Sequence, residues 1–195
     1  MIYFTADTHF NHHHVIRYDK RPWKTIDEMQ EALICIWNTI VRKGDTVYHL
    51  GDFAFKNNWV PILEKLNGNK HLILGNHDTP NRESVKKFIT TSHIKRISYE
   101  KQKIVLCHYP MYTWQGKEKG AWHLYGHCHG NSKYNLKNTL EVGCMLHGYR
   151  PISFDEVKML IARSNQKNVK QPFYKKIFKG IMDFIEELKE ERSIA

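Results

Sequence analysis

The run LILGNHDTP at residues 72–80 decides how this chain is read. Leu72, Ile73 and Leu74 look like the end of a buried strand, but the strand stops at Gly75 and an amide, an imidazole and a carboxylate follow at once. Left unpaired in an apolar setting, each of these groups would cost free energy, so they are solvated, paired or bound to something. The same event recurs along the chain. An apolar run at 1–6 ends in Asp7-Thr8-His9, and one at 46–50 leads through His49, Leu50 and Gly51 to Asp52. A run at 103–107 ends at His108, and one at 122–125 ends in Gly126-His127-Cys128-His129. A further strand is predicted over 139–142.

Helical patterns separate the first three runs. In the segment TIDEMQEALICIWNTIVRKGD, Thr25 and Glu28 form a capping box. Ile26, Met29, Leu33, Ile36, Trp37, Ile40 and Val41 then recur at helical spacing, with Gly44 as the expected stop. Shorter helices are predicted over 59–66 and 82–90. Strands alternating with helices indicate an α/β domain with partly parallel pairing. The later strands lack long intervening helices, so a second sheet of more antiparallel character is expected, giving two sheets face to face with helices outside. Ser153 and Glu156 form another capping box, opening a helix to about residue 162. The polar run RSNQKNVKQP then reads as a linker. Beyond it, Phe173, Ile177, Ile181, Phe184, Ile185 and Leu188 mark one face of an amphipathic helix. Its basic first half and acidic second half oppose the helix dipole, so packing on its own domain is expected to support it. The chain thus divides into a domain at 1–164 and a linker with C-terminal helix at 165–195.

The net charge of +10 points to anionic partners: nucleotides, phosphorylated metabolites or nucleic acid. No run approaches the ~18 apolar residues of a membrane span, and the short apolar start is broken by Asp7 and His9, so a cytoplasmic protein with no membrane partner is expected. Cys35, Cys107, Cys128 and Cys144 are scattered without a Cys-x-x-Cys pair and read as small buried hydrophobes. His71, His93, His123 and His147 read as ordinary packed or solvated residues.

In an open α/β sheet the carboxyl ends of strands converge on one edge, where ligands bind. Asp7, His9, Asp52, Asn76, His108, His127 and His129 would therefore meet there. Imidazole and carboxylate together suit Mn, Fe, Zn or Ni, and Asp-x-His and His-x-His project two side chains to the same side of an extended backbone. Seven candidate ligands exceed the needs of one ion and suit two ions sharing a carboxylate. A structural zinc site on Cys107, His108, His127 and Cys128 would leave Asp7 and Asp52 unexplained.

The ordered blocks Asp7-Thr8-His9, Gly51-Asp52, Gly75-Asn76-His77-Asp78, His108 and Gly126-His127-Cys128-His129 resemble the signature of the calcineurin-like metallophosphoesterases over roughly residues 1–150. The resemblance implies a metallo-dependent phosphatase-like four-layer sandwich, an α/β fold of two mixed β-sheets flanked by helices. It also implies a dinuclear centre in which Asp7, His9 and His129 hold one divalent ion and Asn76, His108 and His127 the other, with Asp52 bridging and manganese favoured. His77 would stabilise the transition state or protonate the leaving oxygen, and Asp78 would orient His77. The implied activity is hydrolysis of a phosphoester by metal-activated hydroxide, on a small phosphodiester or nucleotide-like compound. Phosphomonoesterase, nuclease and non-catalytic metal-binding scaffold are the alternatives. The sequence FAFKNN after Asp52, and Asp78 in place of glutamate, depart from the phosphoprotein phosphatase branch. The segment HFNHHHVIRYDKRPW is similar instead to small single-domain members from bacteria and phages. From that segment His12, Arg17 and Arg21 are candidate substrate contacts; His12, His13 and His14 could extend the metal site, with a solvated loop the favoured reading for at least two of them, and an ordinary surface role is the favoured reading of the two arginines. Tyr109, Tyr112 and Trp114 are candidates for base stacking or for packing, with Tyr109 the one placed at the substrate.

Overall fold

The computed structural model describes residues 1–55, 59–79, 83–133 and 136–166. The expected linker and C-terminal helix lie outside them from residue 167 onward. Among the described residues, nine strands form two sheets. In the first, β1 (Ile2–Thr5), β2 (Thr46–His49), β3 (Asn69–Ile73) and β4 (Thr91–Ser92) run parallel in the order β4-β3-β2-β1, and β9 (Ile152–Ser153) closes the edge antiparallel to β1. In the second, β5 (Ile94–Tyr99) pairs antiparallel with β6 (Gln102–Cys107), while β7 (Trp122–Tyr125) and β8 (Thr139–Glu141) continue in parallel. The second sheet is thus mixed and, by register, of more antiparallel character than the first, as expected. Its one antiparallel pair is a hairpin whose first strand, IKRISY, alternates too weakly in polarity to be read from sequence.

The period-two alternation of the strands divides the core. Phe4, Ala6, Tyr48, Leu50 and Ile73 point from the first sheet toward Ile104, Leu106, Leu124, Leu140 and Val142 of the second. Their neighbours Tyr3, Val47, Leu72 and Leu74 point the other way, onto the apolar stripe of α2 (Ile26–Ile40) and onto Leu63 of α3 (Val60–Lys65). Each fully buried side chain of this kind contributes roughly 1.5–3 kcal/mol of transfer free energy. The outer face of the second sheet is covered by residues 111–121, with Trp114 and Ala121 packed on Val105.

The capping box on Thr25 is present, but α2 ends at Ile40, where Val41 turns extended, so Gly44 is not its stop. A short α1 (His13–Tyr18) occupies the histidine-rich segment, with His13 and His14 exposed on it. The helix predicted over 82–90 is only a 3₁₀ turn at Glu83–Lys87. The helix capped by Ser153 and Glu156, α4 (Phe154–Asn165), runs past its expected end because Asn165 donates to and accepts from Asn138 at the start of β8. No helix among the described residues is long and apolar enough to cross a membrane.

His49 and His123 are fully buried. His123 accepts from the Met111 N–H at 3.1 Å and donates to the Val105 carbonyl at 3.2 Å, a set that suits the neutral ring. Burial pushes His123 down to about 4 and His49 down to about 3, from an ordinary 6.5. Unfolded, both rings take a proton below about 6.5, whereas folded they resist it until far lower. Stability is therefore complete above that pH and falls as pH drops from 6.5 toward 4, by up to ~1.4 kcal/mol per pH unit for each ring. Urea unfolding of the metal-free protein at about pH 7 and about pH 5 is expected to show this loss, and equal midpoints would contradict it.

Candidate active site

Every strand that feeds the site ends where the chain must turn sharply while keeping a polar side chain aimed inward. Asp7, His9, Asp52, His127 and His129 all have φ between 50° and 71°, the left-handed region in which a Cβ is strained. Non-glycine residues in that region cost of order 1–3 kcal/mol each and persist where the surroundings over-determine them. The surroundings are the backbone ladder Asp7 N–H to Gly51 O and His9 N–H to Asp52 O, both 3.0 Å, which continues the β1–β2 pairing past the strand ends. Gly75 is required for a different reason: a Cβ there would collide with the Asp52 carboxylate and backbone.

The structure brings Asp7, His9, Asp52, Asn76, His77, His108, His127 and His129 to one edge. Within it lie three overlapping groups whose ligand atoms are within 4.8 Å of one another: Asp7 with His9 and His129, His9 with Asp52 and His77, and Asp52 with His108 and His127. Asp52 and His9 each belong to two of them. The hydrogen bonds around the rings decide which nitrogen faces inward. His108 donates from Nδ1 to the Leu50 carbonyl at 2.7 Å, which leaves Nε2 as an acceptor 3.1 Å from Asn76 Oδ1 and 3.5 Å from Asp52 Oδ2. His129 donates from Nδ1 to Asp19 at 2.7 Å, so its Nε2 faces His9 Nε2 at 3.3 Å and Asp7 Oδ1 at 3.9 Å. His127 Nδ1 lies 3.0 Å from the same Asn76 oxygen. Acceptors converge on acceptors, an arrangement that needs a proton or a cation in its midst.

The electrostatics agree. Asp7 is fully buried, and burial pushes its carboxyl up to about 7, with His108 and His129 pulling the other way. Burial also pushes Asp52 up, but the hydrogen bond and charge of His108 and the His77 N–H outweigh this and hold it below its ordinary value. Burial drives His9 down to about 2. It lowers His108 and His129 too, yet the carboxylates Asp52 and Asp19 outweigh it and raise both, putting the readiest positive charge in the two outer groups. Among the described residues, the ion pairs of Asp7 and Asp52 run only to histidines. Two buried carboxylates without a lysine or arginine partner, ringed by imidazole acceptors, fit divalent cations.

Several expected roles change in the folded chain. Asp78 does not address the His77 ring through its hydrogen bonds. Its carboxylate accepts from the backbone N–H groups of Asp52 (2.8 Å), Gly75 (2.9 Å) and Phe53 (3.2 Å), tying together the turns that carry Asp52 and Asn76. Arg21 is not a substrate contact, because its guanidinium is fully buried. It donates to the carbonyls of Asp7 and Thr8, both at 2.8 Å, and to Asp19 at 3.0 and 3.2 Å. Arg17 lies exposed on α1. His12 stacks on Phe55 with centroids 4.5 Å apart and lies 5.9 Å from the His77 ring, forming an aromatic wall beside the cluster. Tyr109, 44% exposed, sets its ring edge-on to His108 and His127 at 5.0 and 4.8 Å. Trp114 packs instead, buried and donating Nε1–H to the Ala121 carbonyl.

Asp19 is the functional residue that sequence reading missed. Its signal was an acid two residues before Arg21, in a segment where only the arginines were weighed. It holds the His129 tautomer and is itself held by Arg21, the outer-shell arrangement that tunes a ligating histidine. Asp19→Asn keeps an acceptor for His129 but removes the charge, and is expected to weaken metal binding by about 10–100-fold and, by taking the counter-charge from buried Arg21, to lower the thermal midpoint as well. Arg21→Met leaves Asp19 and two carbonyls unpaired and is expected to cost about 3–5 kcal/mol of stability. Calorimetric metal titration and urea unfolding read the two effects separately.

Two facing sheets with an imidazole–carboxylate cluster at their shared edge are the arrangement that the resemblance to the metallophosphoesterases implies. The chain has the two-sheet α/β fold expected of the calcineurin-like metallophosphoesterases. It is 35% identical over 172 residues to the uncharacterised protein MJ1445 of Methanocaldococcus jannaschii, covering 83% of this chain and 92% of that one. It also resembles the Gene 66 protein of Mycobacterium phage L5, at 25% identity over 194 residues, 82% of this chain and 93% of that protein. The crystal structure of AQ665 from Aquifex aeolicus, a protein of unknown function, superposes with a TM-score of 0.69 and 26% identity, over 82% of this chain and 98% of that one. No family model matches the sequence.

Proposed function

We propose that the protein is a dinuclear metal-dependent phosphoesterase acting on a phosphodiester, either small or nucleotide-like. The observation that carries this reading is the convergence of acceptor atoms into overlapping groups with Asp52 shared between them. Asp7, His9 and His129 would hold one divalent ion, Asn76, His108 and His127 the other, and Asp52 would bridge. Two such cations acidify water at neutral pH and offset the charge of the phosphoryl oxygens. Manganese suits the mixed nitrogen and oxygen donors, as do iron, zinc and nickel.

The chain's own residues supply the rest. The His77 N–H donates to Asp52 Oδ1 at 2.9 Å, which fixes the backbone under the ring. Its Nε2 stands 3.9 Å from Asp52 Oδ2 on a side chain 35% exposed, so the ring borders both the cluster and the approach from solvent. From there it would hand a proton to the departing ester oxygen. His12 and Tyr109 flank this approach, and Arg17 would offer a charge-assisted contact to phosphate. The net charge of +10 draws anionic substrates toward the site.

The test is hydrolysis of bis-p-nitrophenyl phosphate beside p-nitrophenyl phosphate, using metal-stripped protein titrated with Mn²⁺. Metal-dependent preference for the diester is expected. Preference for the monoester would make the protein a phosphatase, and binding of metal without turnover of either compound would favour a binding scaffold.

A further inference from the structure

The loop leaving β6 connects the candidate active site to a second feature that the phosphoesterase reading does not use. Across the outer face of the second sheet runs a groove of about 570 Å³, lined by Arg96, Lys103, Lys117 and Lys119 with a single acid, Glu118. Arg96 and Lys103 come from the paired strands β5 and β6, so a rigid sheet fixes their spacing. The 3₁₀ turn at Lys117–Lys119 forms the opposite wall. Trp114 packs on Val105 beneath the groove and gives it an apolar floor. Four cations against one anion make this concave surface a site for phosphates.

The path from this groove to the metal cluster carries two exposed tyrosines. Tyr109 lies against His108 and His127, and Tyr112, 73% exposed, is among the most exposed large side chains described. Lys117 Nζ sits 4.8 Å from the Tyr112 ring centre and donates to the Tyr112 carbonyl at 2.8 Å, which anchors the loop to the groove wall. Exposed aromatic faces beside a cationic groove suit an unpaired strand, whose bases stack on rings while its phosphates follow the positive wall. A duplex presents no free base faces to such rings. From Lys103 to His108 is five residues, roughly 17 Å at ~3.3 Å per strand residue, a span within reach of a few nucleotides.

We propose that this track, from the groove past Tyr112 and Tyr109, binds single-stranded nucleic acid and leads a phosphodiester of that strand to the metal cluster. Its catalytic half rests on the phosphodiesterase reading above, whereas the binding half stands on the groove alone. Binding is therefore measured without metal. The full chain in EDTA is titrated into a fluorescently labelled oligothymidylate of about twelve nucleotides, followed by anisotropy, in parallel with a duplex of the same length. Tighter binding of the single strand, weakening steeply with salt, is expected. Lys103→Glu with Lys119→Glu, both exposed positions, should lower affinity at least tenfold and reduce the slope of log affinity against log salt by about 1.4, the loss of two phosphate contacts. Tyr112→Ala should weaken single-strand binding about tenfold and leave the salt slope unchanged. Thermal melts establish that the variants are folded. Absence of binding at low salt, equal affinity for duplex, or indifference to the lysine reversals would overturn the proposal. None of these outcomes bears on hydrolysis of the small diester, so a failed track and a failed phosphodiesterase reading remain distinguishable.

Discussion

Asp52→Asn is expected to abolish productive metal binding, because Asp52 alone among the carboxylates belongs to two of the three ligand groups. Asparagine preserves the volume and one acceptor oxygen, so the backbone N–H of His77, now on Asp52 Oδ1 at 2.9 Å, keeps a partner. What is lost is the negative charge that His9, His77 and His108 all approach within 4.0 Å. The loss in affinity should exceed the roughly 10–100-fold cost of removing an outer-shell partner. Calorimetric titration of the metal-stripped protein with Mn²⁺ is expected to show at most one weak site and no turnover of the diester. Two sites of undiminished affinity would show that Asp52 does not bridge.

His77→Ala makes the complementary case. Its ring is partly exposed and borders the approach from solvent, so truncation should spare metal binding while lowering turnover by roughly 10²–10⁴, the usual contribution of a positioned proton donor. The deficit should shrink for esters whose leaving group needs no proton. Comparing p-nitrophenyl and alkyl diesters in wild type and variant reads this directly. Because His77 also lies within ligand distance of His9 and Asp52, the alternative outcome is informative: loss of a metal site in His77→Ala comparable to that in Asp52→Asn would make His77 a ligand and sink the division of roles.

The comparison of sequence with structure turns on particular residues. The blocks Asp7-Thr8-His9 and Gly75-Asn76-His77-Asp78 are legible because they interrupt apolar runs with groups that apolar cores do not tolerate. The cap residues Thr25, Glu28, Ser153 and Glu156 are legible because capping is a local exchange of hydrogen bonds over three residues. By contrast, β4 and β9 are two-residue strands, and β5 is half polar. They exist because a neighbouring strand offers a ladder, which is information held elsewhere in the chain. α1 is a single turn and a half without a side-chain cap, held by what surrounds it.

The sequence by itself determined the strand–helix alternation of the first half, the cap residues, and the polar groups placed at the ends of five strands, since each follows from interactions within a few residues. Only the tertiary structure decided what those groups do. Arg21 reads as a surface cation until its guanidinium is found sealed beneath the Asp7 and Thr8 carbonyls, and Asp78 reads as a partner for His77 until its carboxylate is found on three backbone N–H groups. Asp19 acquires meaning through a ring 110 residues away. A side chain's role depends on which desolvated partner it meets, and long-range packing alone chooses that partner.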